Sequence, residues 1–267
     1  MWPHMPRRSV APSVALRLPI GLLVALLLVA CGGGGKKASP PTTAKPTSTT
    51  AAPTTTAPQV DLSWVAKANK QLTEVPVYAT ADLTEQPQQV LEQPNEDGAP
   101  LAFLVKGAFD PNKPPTALEV YLPVRPNGSS GFIRTADVSL FSHQYKIKVE
   151  VGAHHITVTN AGAVVLDAPV GIGTSDTPTP GGVFYIKELL KVPNPDGPYG
   201  PYAYGLSGFS DVLTDFAGGT GVIGIHGTND PSTIGTDVSH GCIRMSNENI
   251  TMLAKILPVG TPVDIQP

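Results

Sequence analysis

Proline and glycine interrupt this chain too often for long helices. It holds 29 prolines and 27 glycines in 267 residues. Proline removes a backbone donor and glycine adds chain entropy, so helix interiors are disfavoured and turns are easy. Short strands joined by turns are what such a sequence builds. Val75–Tyr78, Leu101–Val105, Leu118–Leu122 and Gly131–Arg134 are short β-like runs between turn-rich stretches. Tyr145–Val151 alternates apolar and charged residues, the period of a half-buried strand. Ile156–Thr159 and Ala163–Leu166 flank Asn160-Ala161-Gly162, a hairpin signal. Val183–Ile186, Val222–Ile225 and Thr261–Ile265 add further strands. One helix is expected: Ser246 caps it, Glu248 sits in its first turn, and Ile250, Leu253, Ala254 and Leu257 share a face. Pro258 stops it. The expected fold class is therefore mainly β, with a small β domain over 61–141 and a larger β-rich domain with one packed helix over 144–267.

The N-terminus speaks to location. Arg7, Arg8 and Arg17 precede an apolar run from Ile20 to Ala30. That run is about half the roughly 20 residues needed to span a bilayer. A basic region, a short apolar core and small residues at its end make a secretory signal over 1–30. Leu28-Val29-Ala30-Cys31, followed by Gly32 to Gly35, resembles a bacterial lipobox. That resemblance implies that Cys31 becomes the first mature residue and carries lipid. More than one acyl chain gives stable anchoring. The alternative is an ordinary signal in which Cys31 merely falls near the cut. Residues 36–59 are lysine, alanine, serine, proline and threonine apart from Gln59, with too little apolar surface to fold. With Cys31 they read as a disordered tether over 31–60. The expectation is a lipoprotein of the plasma membrane with its folded part outside the cytoplasm. Removing the signal takes away three arginines and no acid, leaving 15 basic and 21 acidic residues. That balance argues against a nucleic-acid partner.

With Cys31 lipidated, Cys242 is a thiol without a partner, and an unpaired thiol in an exported protein is a candidate nucleophile. His240 lies two residues before it and Arg244 two after, which puts all three on one face of an extended strand. His226 lies sixteen residues upstream. Cations and imidazoles lower a thiol's pKa toward the reactive thiolate. A histidine base beside a cysteine suffices for acyl transfer through a thioester. His226 is the first candidate for base and acid, His240 the second. The backbone N–H groups of Gly241 and Cys242 are candidates for holding an oxyanion. Arg244 favours the thiolate, grips a substrate carboxylate, or makes a structural ion pair. Ser239, His240 and Thr228 are expected to face substrate. The segment from Lys187 to Phe216 shows little strand or helix pattern and reads as a lid. Its tyrosines, Tyr204 among them, either pack on substrate or cover the edge of the core. Two bland readings compete. An inert buried cysteine is one. The other is zinc on His226, His240 and Cys242, which Arg244 and the lack of a nearby acid disfavour. No metal and no cofactor are expected.

From Tyr145 onward the chain resembles the L,D-transpeptidase catalytic domain, or YkuD domain. The likeness rests on His226-Gly227, then Ser239-His240-Gly241-Cys242-Ile243-Arg244, and on Thr177-Pro178-Thr179-Pro180-Gly181-Gly182-Val183-Phe184 ahead of them. The resemblance implies that Cys242 attacks a peptidoglycan tetrapeptide stem, at the carbonyl joining its third residue to the terminal D-alanine. It implies that the Gly227 carbonyl orients His226. D-alanine leaves, and the side-chain amine of a second stem resolves the thioester into a 3→3 cross-link. Stem peptides are then donor and acceptor, and carbapenems are inhibitors. Carboxypeptidase trimming, protein attachment to the wall and a non-catalytic wall binder are the alternatives. Residues 122–133 resemble the end of a bacterial SH3-like module, which implies either wall binding or a spacer.

Overall fold

The structure, a computed structural model, describes residues 61–215 and 219–267. The expected signal, Cys31 and the tether lie outside the described residues. Turns cut the first stretch into β1 (Ser63–Ala68), β2 (Glu74–Val77), β3 (Gln89–Glu92), β4 (Ala102–Leu104), β5 (Ala117–Tyr121), β6 (Ser130–Arg134) and β7 (Val138–His143). They form small antiparallel sheets, β4-β1-β7, β2-β3 and β5-β6. Phe103, Leu118, Ile133 and Val120 lie at the centre of the apolar cluster they enclose. We call residues 61–143 the first lobe. Its last strand runs two residues past the boundary expected at 141.

The second lobe contains β8 (Tyr145–Glu150), β9 (His155–Asn160), β10 (Ala163–Pro169), β11 (Ile172–Gly173), β12 (Gly182–Lys191) and β13 (Tyr202–Phe209). After these come β14 (Val222–His226), β15 (Asp237–Ser239), β16 (Ile243–Arg244), α1 (Asn247–Leu253) and β17 (Pro262–Gln266). Eight strands share one sheet in the order β10-β9-β8-β17-β12-β13-β14-β16. β8 with β17 and β14 with β16 are parallel, and the other neighbours are antiparallel. β12 changes partners along its length. Gly182–Tyr185 pair with β17, and the strand continues onto β13 from Ile186. The ladder is irregular between Ile186 and Glu188, and this change of partner curls the sheet. Ile147, Phe184, Leu206, Ile225 and Val263 lie in the core beneath it.

The helix is shorter than its apolar pattern suggests. Ser246 Oγ accepts from the Asn249 N–H at 3.1 Å, so the N-terminal cap is as expected. α1 ends at Leu253, and Leu257 is buried from a turn rather than from the helix. A larger correction concerns 187–216. This segment is not a patternless lid, because 187–191 and 202–209 form the antiparallel β12–β13 pair. The connection between the two strands is 192–201, and 210–215 follow β13 without regular structure.

The described residues belong to one compact unit. β1 packs on the turn before β17 so closely that a Cβ at Gly260 would lie 2.3 Å from Val65 Cγ2. Asn95 Nδ2 donates to Glu188 Oε2 at 2.8 Å, and Lys146 pairs with Asp61.

Candidate active site

Cys242 stands just after a tight turn that joins β15 to β16. The two-residue strand spacing invoked for His240 and Arg244 is therefore not what brings them to the thiol. The turn is tied by Ser239, whose Oγ donates to the Cys242 carbonyl at 2.5 Å and accepts from the Gly241 N–H at 3.1 Å. The Ser239 carbonyl accepts from the Thr174 N–H and from Thr177 Oγ1, each at 3.1 Å. Thr179 Oγ1 accepts from the Gly173 N–H at 2.8 Å. The Thr-Pro-Thr-Pro stretch thus braces the cysteine turn from below. Gly241 has φ +109°, a conformation that side chains rarely tolerate. Its role is conformational.

His226 ends β14 and is buried. Its Nδ1 lies 2.6 Å from the Gly227 carbonyl. A carbonyl only accepts, so Nδ1 carries the proton and Nε2 keeps its lone pair. The Gly227–Thr228 peptide is itself held, because Asn247 Oδ1 accepts the Thr228 N–H at 2.9 Å. Gly200, at φ +62°, crosses this peptide so tightly that a Cβ would lie 2.7 Å from Gly227 Cα and 2.2 Å from Asn247 Oδ1. That crossing sets the neighbouring Tyr199 edge-on against the His226 ring, with centroids 4.9 Å apart and planes at 65°.

Cys242, His226, His240, Arg244, Ser239 and Tyr199 line one cavity of about 240 Å³, together with Ser210, Leu213, Gly221 and Val222. A larger cleft of about 590 Å³ between the lobes shares Val222, but none of the reactive side chains lines it. Burial holds His226 down at about 4; its bond to Gly227 opposes this and the Arg244 charge adds to it. Burial pushes the Cys242 thiol up, against the Gly224 N–H at the sulfur and the Arg244 charge. The expectation that neighbours would poise Cys242 as thiolate is corrected: desolvation outweighs them, and the resting pair is neutral. Tyr199 is also pushed up by burial and by Cys242. Arg244 forms no ion pair among the described residues, and its buried Nε has no hydrogen-bond partner among them. The structural ion pair considered for it is absent there.

Several expected roles do not fit. Tyr204 is fully buried within β13, among core residues, because it belongs to a strand and not to a lid. Thr228 is buried too, with its hydroxyl turned onto Asp230 rather than the cavity. Ser239 lines the cavity, but both bonds of its hydroxyl go to the turn. The Gly241 N–H, expected to hold an oxyanion, donates to Ser239 Oγ at 3.1 Å. Sequence reasoning missed Tyr199, Gly200, Gly224 and Asn247. Tyr199 stood in the Tyr/Gly/Pro segment already singled out; it lies in the connection before β13, whereas Tyr204 lies within the strand. No three or more His, Cys, Asp and Glu side chains among the described residues are arranged to hold a metal ion.

The family profile described as the L,D-transpeptidase catalytic domain, YkuD, matches residues 144–265. The protein YkuD of Bacillus subtilis (strain 168) is 40% identical over 121 residues, 45% of this chain and 65% of that protein. YkuD of Bacillus licheniformis is 39% identical over 123 residues, 46% of this chain and 66% of that protein. The match thus spans just under two thirds of those relatives' lengths. A solved L,D-transpeptidase from Mycobacterium tuberculosis H37Rv aligns with a TM-score of 0.41 at 16% identity, over 62% of this chain and 90% of the other. Residues 144–265 of this chain are thus similar to the L,D-transpeptidase catalytic-domain family.

Proposed function

We propose that the chain is a peptidoglycan L,D-transpeptidase that forms 3→3 cross-links through a thioester on Cys242. The observation that carries this reading is the cavity itself. A thiol shares it with a neutral histidine whose tautomer is fixed by the Gly227 carbonyl at 2.6 Å. His226 Nε2 takes the thiol proton as the sulfur attacks the carbonyl between the third stem residue and D-alanine. The developing oxyanion falls to the Cys242 N–H, since the Gly241 N–H is already given to Ser239. The same proton passes to the departing amine, D-alanine leaves, and a thioester remains. An acceptor amine then loses its proton to Nε2 and attacks the thioester carbonyl, and the sulfur departs to regain a proton. One amide is broken and one is made.

Arg244 supports the donor assignment. A guanidinium at the cavity without a carboxylate partner is suited to a stem's free carboxylate. The same reading puts the chain in the cell envelope, anchored through lipid on Cys31. Labelled palmitate incorporated into the parent protein and lost in Cys31→Ala tests the anchor; equal labelling of both overturns it.

The activity is tested by intact-protein mass spectrometry with a disaccharide-tetrapeptide. A Cys242 adduct, released D-alanine and a 3→3 dimer are expected, all lost in Cys242→Ala. Carbapenem acylation should map to the same thiol. An adduct that decays only to tripeptide would make the chain a carboxypeptidase. Absence of any adduct, with a folded protein and a free thiol, would leave a wall-binding protein.

A further inference from the structure

The turn from Arg125 to Asn127 in the first lobe has no part in the chemistry above. Its side chains nevertheless reach the connection between β13 and β14. Arg125 Nη1 donates to the Ser210 carbonyl at 2.8 Å, and Nη2 to the carbonyls of Leu213 at 2.9 Å and Thr220 at 3.1 Å. The guanidinium lies over the Phe209 ring, 4.8 Å from its centroid. Asn127 makes a two-way pair with Phe209: Nδ2 donates to its carbonyl at 2.7 Å and Oδ1 accepts its N–H at 2.9 Å. Nδ2 also donates to Asp211 Oδ1 at 3.0 Å.

The gripped residues matter because of what lies beside them. Ser210, Leu213, Gly221 and Val222 line the same cavity as Cys242 and His226 and form part of its wall. The β13–β14 ladder loses regular register between Gly205 and Phe209. Here Asn127 supplies a donor and an acceptor to Phe209, as a neighbouring strand would. The planar fork of an arginine spans several carbonyls at once, and a lysine ammonium does not reproduce that geometry. The wall also has little room to settle elsewhere. A Cβ at Gly221, φ +74°, would lie 2.2 Å from the Leu213 carbonyl and 3.1 Å from Arg125 Nη2.

We propose that Arg125 and Asn127 are positioning residues, through which the first lobe holds the β13–β14 wall at the distance from Cys242 that substrate requires. The activity arm of the test rests on the transpeptidase reading, and the structural arm does not. In the full chain, Arg125→Ala, Arg125→Lys and Asn127→Ala are compared with the parent. Amide hydrogen exchange is expected to quicken in peptides covering 209–222 and to stay unchanged in β8, β9 and α1. Alkylation of Cys242 by iodoacetamide, too small to need the wall, should stay within about twofold, while KM for the tetrapeptide rises about tenfold with a smaller change in kcat. Lysine should behave as alanine does. Unchanged exchange over 209–222 would overturn the proposal, as would faster exchange with an unchanged KM. Loss of alkylation, KM and thermal stability together would reduce the contact to general support of the fold. If the parent turns over no tetrapeptide, the transpeptidase reading fails by itself, and the exchange result still decides whether the first lobe holds the wall.

Discussion

Burial sets the protonation of the two reacting groups, and it sets both neutral. His226 is held down at about 4 and the Cys242 thiol is pushed up. Below about 4 the imidazole carries its proton and cannot take another, so kcat/KM should show an acid limb there. Above it the base stays free through neutral pH, and alkylation of Cys242 should keep rising beyond the ordinary thiol range. A bell centred on a pre-formed thiolate–imidazolium pair would contradict this. His226→Gln should slow acylation by roughly 10²–10⁴-fold. Much of this site was legible, because a histidine sixteen residues before the cysteine of Ser-His-Gly-Cys-x-Arg is a pattern of identities. The thiol's direction of shift was not, since it depends on how deeply the turn is buried.

At the scale of elements, β13 was the hardest to read. Its sequence, Tyr-Ala-Tyr-Gly-Leu-Ser-Gly-Phe, is almost wholly buried, so the alternation that betrays a half-exposed strand is missing. Its glycines are there to be covered. A Cβ at Gly205 would lie 2.5 Å from Glu188 Oε1, and one at Gly208 would lie 2.4 Å from the Phe184 ring. Strands such as β8, with one wet face, were plain. The Tyr204 hydroxyl, buried without a partner among the described residues, gives a direct check on the strand assignment. Tyr204→Phe should leave kcat/KM unchanged and keep stability equal or raise it by about 1 kcal/mol. A large fall in kcat/KM would return Tyr204 to the substrate. Gly200→Ala should do the opposite. It forces a side chain into a positive-φ site against Gly227 and Asn247, costing about 1–3 kcal/mol. Tyr199 should leave the His226 ring, and acylation should slow with it. Thermal unfolding and single-turnover acylation measure both effects.

For the molecule as a whole, one buried histidine and one half-buried one make acid the weak side. His143, packed between Phe141 and Tyr145 with centroids at 6.5 Å and 6.2 Å, is held down at about 4 by burial and by Lys146, as His226 is by its own burial. Unfolded, each takes up its proton near about 6.5. Between those values the unfolded state binds more protons, so stability is full above the window and falls as pH drops through it. His143→Phe keeps the packing and should lose less Tm than the parent between neutral pH and the acid end of that window; an equal loss would clear His143. Of the first lobe's strands, β2, β4, β5 and β6 were visible in sequence and β1, β3 and β7 were not; nor was its grip on the second lobe, since Arg125 and Asn127 sit in what reads as a plain turn. That grip has an evolutionary side. Arg125 bonds to the main-chain oxygens of Ser210, Leu213 and Thr220, just as His226 leans on that of Gly227. No codon change at those positions deletes a carbonyl. The lining of the cavity is therefore free to drift under selection, by a new substrate or an inhibitor, while its anchors are inherited intact.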